Sequence, residues 1–286
     1  MAARQSAPGL GALCASTNHG EKLETSLRPR HWEVSLGYRW QNSFRHFIGT
    51  DEQKIRETQR TQVVNNIHLF DVAVAYQVTP RWSLSLSAPF LVATRTIPGE
   101  IFRRRGFPNA QDQVFQSAGI GDMSVSARMW IWRPPTESRA NISVGIGLKM
   151  PTGNPGVVNT IVGPDGKPIR ATADQSIQPG DGGWGFTLGL QAYKSIRKTT
   201  LFFTGTYLFN PEDTNGVRTG RSRPSEAIMS VPDQYLYRGG VAYPFPKVRG
   251  MGVSIAGRIE GVPVRDAFGK ATAFAGPAMP SRSSPD

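Results

Sequence analysis

The chain has 286 residues, with 33 Lys and Arg against 21 Asp and Glu for a net charge of +12, 31 Gly, 22 Pro and a single Cys. One cysteine excludes a disulfide framework and a cysteine-based zinc site, and the 4 histidines (His19, His31, His46, His68) lack metal-ligand spacing, so no metal or cofactor is expected. No stretch approaches the roughly 18 apolar residues of a transmembrane helix, and a mean hydropathy of −0.33 is neutral towards a β-barrel, half of whose wall is polar.

No linker or composition break divides the middle, so one domain is expected over 31–266, between an irregular arm (1–30) and an irregular tail (267–286). The arm starts MAARQSAPGLGALCAS, which has neither a charged start followed by a continuous apolar core nor a good cleavage site. Cys14 follows Leu13, a poor lipoprotein site, and reads as an inert thiol. For an exported protein the alternatives are a true start upstream of Met1 or a fold other than an outer-membrane barrel.

HWEVSLGYRW opens the period of two: Trp32, Val34, Leu36, Tyr38 and Trp40 on one face, Glu33, Ser35, Gly37 and Arg39 on the other. After a polar loop (41–63), Phe70, Val72, Val74, Tyr76 and Val78 alternate with Leu69, Asp71, Ala73, Ala75 and Gln77. A turn at Thr79-Pro80-Arg81 then leads to Trp82, Leu84, Leu86 and Ala88 opposite Ser83, Ser85 and Ser87. A second loop (96–118) holds Arg103-Arg104-Arg105, with no helix to enter a groove and no aromatic strand motif beside it. Nucleic acid is therefore not an expected partner despite the basic charge; the run contacts lipopolysaccharide phosphates or is simply solvated.

Three regular segments follow. Met123, Val125, Ala127, Met129 and Ile131 stand opposite Asp122, Ser124, Ser126 and Arg128; Ile142, Val144, Ile146, Leu148 and Met150 opposite Ser143, Gly145, Gly147 and Lys149; and Trp184, Phe186, Leu188 and Leu190 opposite Gly185, Thr187, Gly189 and Gln191. A long Gly/Pro/Asp loop (151–183) separates the last two. Leu201, Phe203, Tyr207 and Phe209 mark the next strand, a loop (210–233) follows, and Tyr235, Tyr237, Val241 and Tyr243 face away from Arg238. Met251, Val253, Ile255 and Ile259, opposite Ser254, Arg258 and Glu260, end the pattern.

Segments of roughly 10 residues match a tilted membrane-crossing strand, and soluble strands average roughly 5–6. Connections alternate long and short, as in barrels with outer loops and periplasmic turns. That places 41–63, 96–118, 151–183 and 210–233 outside and the turns near Pro80, Pro135, Ile196 and Pro246 inside. The predicted fold is an all-β antiparallel transmembrane barrel of the outer-membrane type, incomplete at about nine strands where a single-chain bacterial barrel has an even number. After Ala267 the period stops. One back-translation of Lys270 to Asp286 in another frame yields an alternating Tyr-Ala-Ile-Ser-Val, from which the tail is expected to be a frameshift product.

On this phase the lumen-facing candidates are Glu33, Arg39, Asp71, Asp122, Arg128, Lys149, Arg238, Arg258 and Glu260, set to select or bind solute or to fill the interior as ion pairs. Asp122 also reads as a residue hydrogen-bonding its own turn. Trp32, Trp40, Trp82, Trp130, Trp132, Trp184, Tyr193 and Tyr243 are candidates for interfacial girdles. Asn66 and His68 share a face as in an outer-membrane lipase, but no Gly-x-Ser-x-Gly elbow appears and no serine can be assigned to them. No catalytic residue is expected.

The pieces GIGDMSVSARMW, LKMPTGNP, QPGDGGWGFTLGL and YRGGVAY, with GRIEGVPV near the end, resemble the family of outer-membrane proteins associated with the meta-pathway of phenol degradation. The resemblance covers roughly residues 30–266 and rests on Gly121-Asp122, Pro151-Thr152-Gly153 and Pro179 to Gly182 taken together. It implies a barrel in the outer membrane of a Gram-negative bacterium, in contact with lipid and lipopolysaccharide, that passes small hydrophobic or aromatic compounds without catalysis. The chain departs from the pattern at both ends, in its lack of a signal peptide and of closing strands. Two other readings of the residues stand beside it: a soluble β-barrel or sandwich binding an apolar ligand, and a structural barrel with a plugged lumen.

Overall fold

The computed structural model describes residues 30–48, 51–132, 137–219, 227–245, 251–263 and 266–267. The N-terminal arm up to residue 29, the tail after 267 and the expected turns at Pro135 and Pro246 lie outside the described residues.

Sixteen strands form among the described residues: β1 (His31–Ser43), β2 (Phe47–Ile48), β3 (Asp51–Glu52), β4 (Val64–Gln77), β5 (Trp82–Ile97), β6 (Gln113–Ile120), β7 (Met123–Trp130), β8 (Ala140–Met150), β9 (Val158–Val162), β10 (Pro168–Thr172), β11 (Gly185–Ile196), β12 (Thr199–Phe209), β13 (Thr214–Arg218), β14 (Ile228–Ser230), β15 (Gln234–Pro244) and β16 (Gly252–Gly261). The large sheet runs β1-β4-β5-β7-β8-β11-β12-β15-β16, every neighbour antiparallel, with β6 beside the upper half of β5. Those nine path positions coincide with the nine segments of period two. No helix among the described residues is long and apolar enough to cross a membrane.

The sheet curls. No ladder joins β1 to β16 among the described residues, yet Arg39 of β1 and Glu260 of β16 meet at 3.7 Å. Their shared face is therefore concave. Solvent exposure is inverted relative to a soluble protein: Leu36 and Ile255 are each 80 % exposed on the convex face, while Asn65, Asp71, Gln77, Ser143, Lys149, Thr187, Thr204 and Gln234 are buried on the other. This is the fold of an outer-membrane β-barrel, seen as an open, curled wall.

Pro89, in the middle of β5, has no N–H to donate to the ladder. The neighbouring strand breaks there: β6 pairs with Phe90–Ile97, β7 with Trp82–Ser87, and the Gly121 N–H bonds Pro89 O at 2.8 Å. A Cβ on Gly121 would stand 2.9 Å from both Pro89 Cγ and Pro179 O, so this crossing needs glycine.

The long connections are structured, contrary to their reading as plain loops. β6 begins inside the expected loop 96–118, leaving only the stretch between Ile97 and Gln113, which holds the one-turn α2 (Glu100–Arg103). The 41–63 connection holds β2, β3 and the one-turn α1 (Ile55–Thr58). Residues 151–183 form the β9–β10 hairpin and a 3-10 turn (Gln175–Ile177), and 210–233 contain the β13–β14 hairpin. The 151–183 segment folds inward. Its Ile161, Ala173 and Ile177 bury Leu69, Leu91, Ala93 and Phe115 of β4, β5 and β6.

Candidate functional site

The concave face is built in cross-strand rows, because residues two apart share a face and antiparallel partners lie side by side. At the rim end, three motifs that are far apart in sequence converge on one carboxylate. Asp122, 7 % exposed, accepts the Gly153 N–H on Oδ1 (3.0 Å) and the Asp181 N–H on Oδ2 (2.9 Å). It does not bond its own turn, as one reading of the sequence had it; its partners are the two ends of the inward segment. Thr152 donates to Gly121 O and accepts from the Met123 N–H, both at 2.8 Å. Lys149 bonds both carboxylate oxygens of Asp181 and lies 3.9 Å from Asp122. A Cβ on Gly180 would be 2.5 Å from Asp122 Oδ1, so the knot closes only over glycine.

Above the knot, the inward segment is held by polar contacts to the wall. Arg95 reaches Asp174 (3.4 Å) and Ser176 (3.1 Å), and Asn65 also donates to Ser176. The Asn159 side chain brackets the backbone of Gln116, accepting its N–H and donating to its carbonyl. Gln175 donates to Ser230 O and Asn215 to Asp181 O, which ties the segment to the 210–233 connection.

A second charge cluster bridges the first and last strands of the sheet. Glu260 takes Arg39 and Arg258; Asp71, diagonal to Arg39 across the β1–β4 ladder, is buried, and its Oδ1 has no hydrogen-bond partner among the described residues. Glu33 is half-buried opposite Ala75 on the same face. Arg238 lies over the Phe202 ring at 5.5 Å, and Arg128 pairs with Gly145. The nine charged candidates thus divide into a rim knot (Asp122, Lys149), a cluster between the edge strands (Arg39, Asp71, Arg258, Glu260) and separate residues (Glu33, Arg128, Arg238).

Of the aromatic candidates, Trp32, Trp40, Trp82, Trp132, Trp184 and Tyr243 are exposed. Trp130 and Tyr193 are not on that face: Trp130 is 7 % exposed, and the two rings meet edge-on at 5.6 Å on the concave side. Parity explains the correction, since Trp130 is in phase with Arg128 and Tyr193 with Gln191; grouping them by strand end ignored the period. Asn66 and His68 are engaged by β1 aromatics, Trp40 Nε1 donating to Asn66 (2.6 Å) and Tyr38 pairing with His68 (2.8 Å). Arg103 and Arg104 share Glu100 at 3.0 Å each, and the Arg103 hydrogen bond leads in holding that carboxyl below its usual pKa. Arg105 is exposed.

Sequence reasoning missed Asp181 as an ion-pair partner, although its Pro-Gly-Asp-Gly motif stood out, and missed Arg95 and Asp174. Among the described residues, no three His, Cys, Asp or Glu side chains gather as a metal site.

No family model matches the chain, and no curated protein does. Among solved structures, it is similar to the COG4313 outer membrane channel from Pseudomonas putida F1, with a TM-score of 0.51 and 15 % identity over 86 % of this chain and 77 % of that one.

Proposed function

We propose that the chain is a non-enzymatic outer-membrane channel whose convex face meets lipid and whose concave face lines a passage for small molecules, narrowed by the inward 151–183 segment. The inverted exposure carries this reading: an 80 % exposed Leu36 is unfavourable in water and ordinary in hydrocarbon. At roughly 3.3 Å per residue, Trp32 to Trp40 span about 26 Å, close to the height of an outer-membrane apolar band with an aromatic residue at each margin. Small hydrophobic or aromatic solutes, as the phenol-pathway resemblance implies, fit such a channel. Arg105 is the free end of the basic run for lipopolysaccharide. The soluble alternative needs the apolar face inside, which the curl of the sheet opposes.

A plugged structural barrel is the second reading, favoured by the apolar contact between the segment and β4–β6. Planar-bilayer recording separates the two. The channel reading expects small conductance steps from the full chain and a several-fold increase after deletion of residues 158–172. Heat-modifiable insertion with no conductance from the full chain supports the plug.

A further inference from the structure

Two arginines of the concave wall lie side by side with too few carboxylates to neutralise them. Arg238 of β15 pairs directly with Arg258 of β16. Directly opposed residues of an antiparallel ladder have Cβ atoms about 4.5–5.5 Å apart, and like charges there are destabilising. Arg258 is relieved by Glu260, which it hydrogen-bonds and which also takes Arg39 at 3.7 Å, while Asp71 acts on Arg39 and Arg258 from β4. Arg238 has no such relief. Among the described residues no carboxylate stands within ion-pair distance of it and no oxygen accepts its N–H groups; its guanidinium carbon lies 5.5 Å from the centroid of the Phe202 ring, which is itself 6 % exposed. That ring holds the guanidinium in place and leaves its donors free. Arg39, Arg238 and Arg258 therefore face Asp71 and Glu260 with one positive charge in surplus. Neither member of the pair is walled off, Arg238 being half-buried and Arg258 exposed on the face that lines the passage.

We propose that Arg238 and Arg258 form a subsite for a small organic monocarboxylate moving through the passage, the two guanidiniums donating to its two oxygens. A guanidinium fork matches the two-oxygen edge of a carboxylate, and charge-assisted bonds of this kind are the strong ones. A single surplus charge calls for a monoanion rather than a phosphate, which carries more than one negative charge at neutral pH. The proposal rests on the channel reading for the route by which the solute arrives, and deepens it by naming the solute's charged group.

The test is calorimetric titration of the full chain in detergent with benzoate, with benzamide, which has the same ring and shape but no charge, and with inorganic phosphate. Benzoate is expected to bind saturably and about tenfold more tightly than benzamide, and to weaken as salt is raised. Arg238→Gln and Arg258→Gln should each remove that preference, whereas Lys198→Gln, which takes the same charge from an exposed turn position, should keep it. Heat-modifiable mobility checks the fold of each variant. Equal affinity for benzoate and benzamide in the unmodified protein would overturn the proposal, as would tighter binding of phosphate or an equal loss of preference in the Lys198 variant. Benzoate preference without conductance in planar bilayers overturns the channel and leaves the subsite standing; conductance without preference does the reverse.

Discussion

Lys149 is 5 % exposed and stands between two carboxylates that are themselves buried or nearly so. A charge in that position is tolerated only because its partners are fixed, and removing one member of a buried ion pair typically costs about 3–5 kcal/mol. Lys149→Met is expected to lower the unfolding free energy by that order in a urea titration in detergent. A double variant that also carries Asp181→Leu should recover part of it. Sequence reasoning put Lys149 and Asp122 on the polar face and left open whether such charges serve solute or one another; here they pair. What it could not supply was the partners, since Asp122 bonds residues 31 and 59 positions away. No local period reports such distances.

Strand by strand, legibility follows the solvent on each side of the wall. Where one face is apolar and the other polar, the period of two is clean, as in β1, β7, β8 and β11. Towards the top of β4, β5 and β6 the inner face turns apolar, with Leu69, Leu91 and Phe115 covered by the inward segment, while β6 carries Gln116 outward. Mixed character on both faces hid β6 within an expected loop. The 41–63 connection carries its own titrating group. Burial, followed by Arg56, holds the His46 imidazole below its ordinary 6.5, against the hydrogen bond to Phe44 O that favours its charged form. The opened connection therefore binds more protons than the closed one as pH falls past 6.5, so the closed form keeps its full advantage above 6.5 and loses it as pH descends through the lowered value. Hydrogen exchange in β2 and β3, corrected for intrinsic rate, should accelerate from pH about 6.5 downward. His46→Gln is expected to flatten that dependence.

For the molecule as a whole, the two faces of β1 make opposite forecasts for the same substitution. Arg in place of Leu36 is harmless to a water-exposed surface but costs about 2–4 kcal/mol at the middle of a bilayer. Leu36→Arg should therefore impair assembly in lipid vesicles, read as loss of the heat-modifiable form, while Ser35→Arg on the concave face should assemble almost as the unmodified chain does. Equal behaviour of the two would remove lipid from the convex face.

The rim knot also implies an order of events. Each wall strand pairs with a neighbour close in the chain, whereas Asp122 must gather Gly153 and Asp181 across separations of 31 and 59 residues. Extending the loop from the nearer to the farther partner adds only about 0.6 kcal/mol of closure entropy, so both bonds are thermodynamically within reach. Contacts between distant residues nevertheless form slowly, and these require β7, β8 and β11 to be in register beforehand. The wall is thus expected to be completed first and the inward segment fastened last, so that a newly assembled molecule is at its widest before its final bonds close.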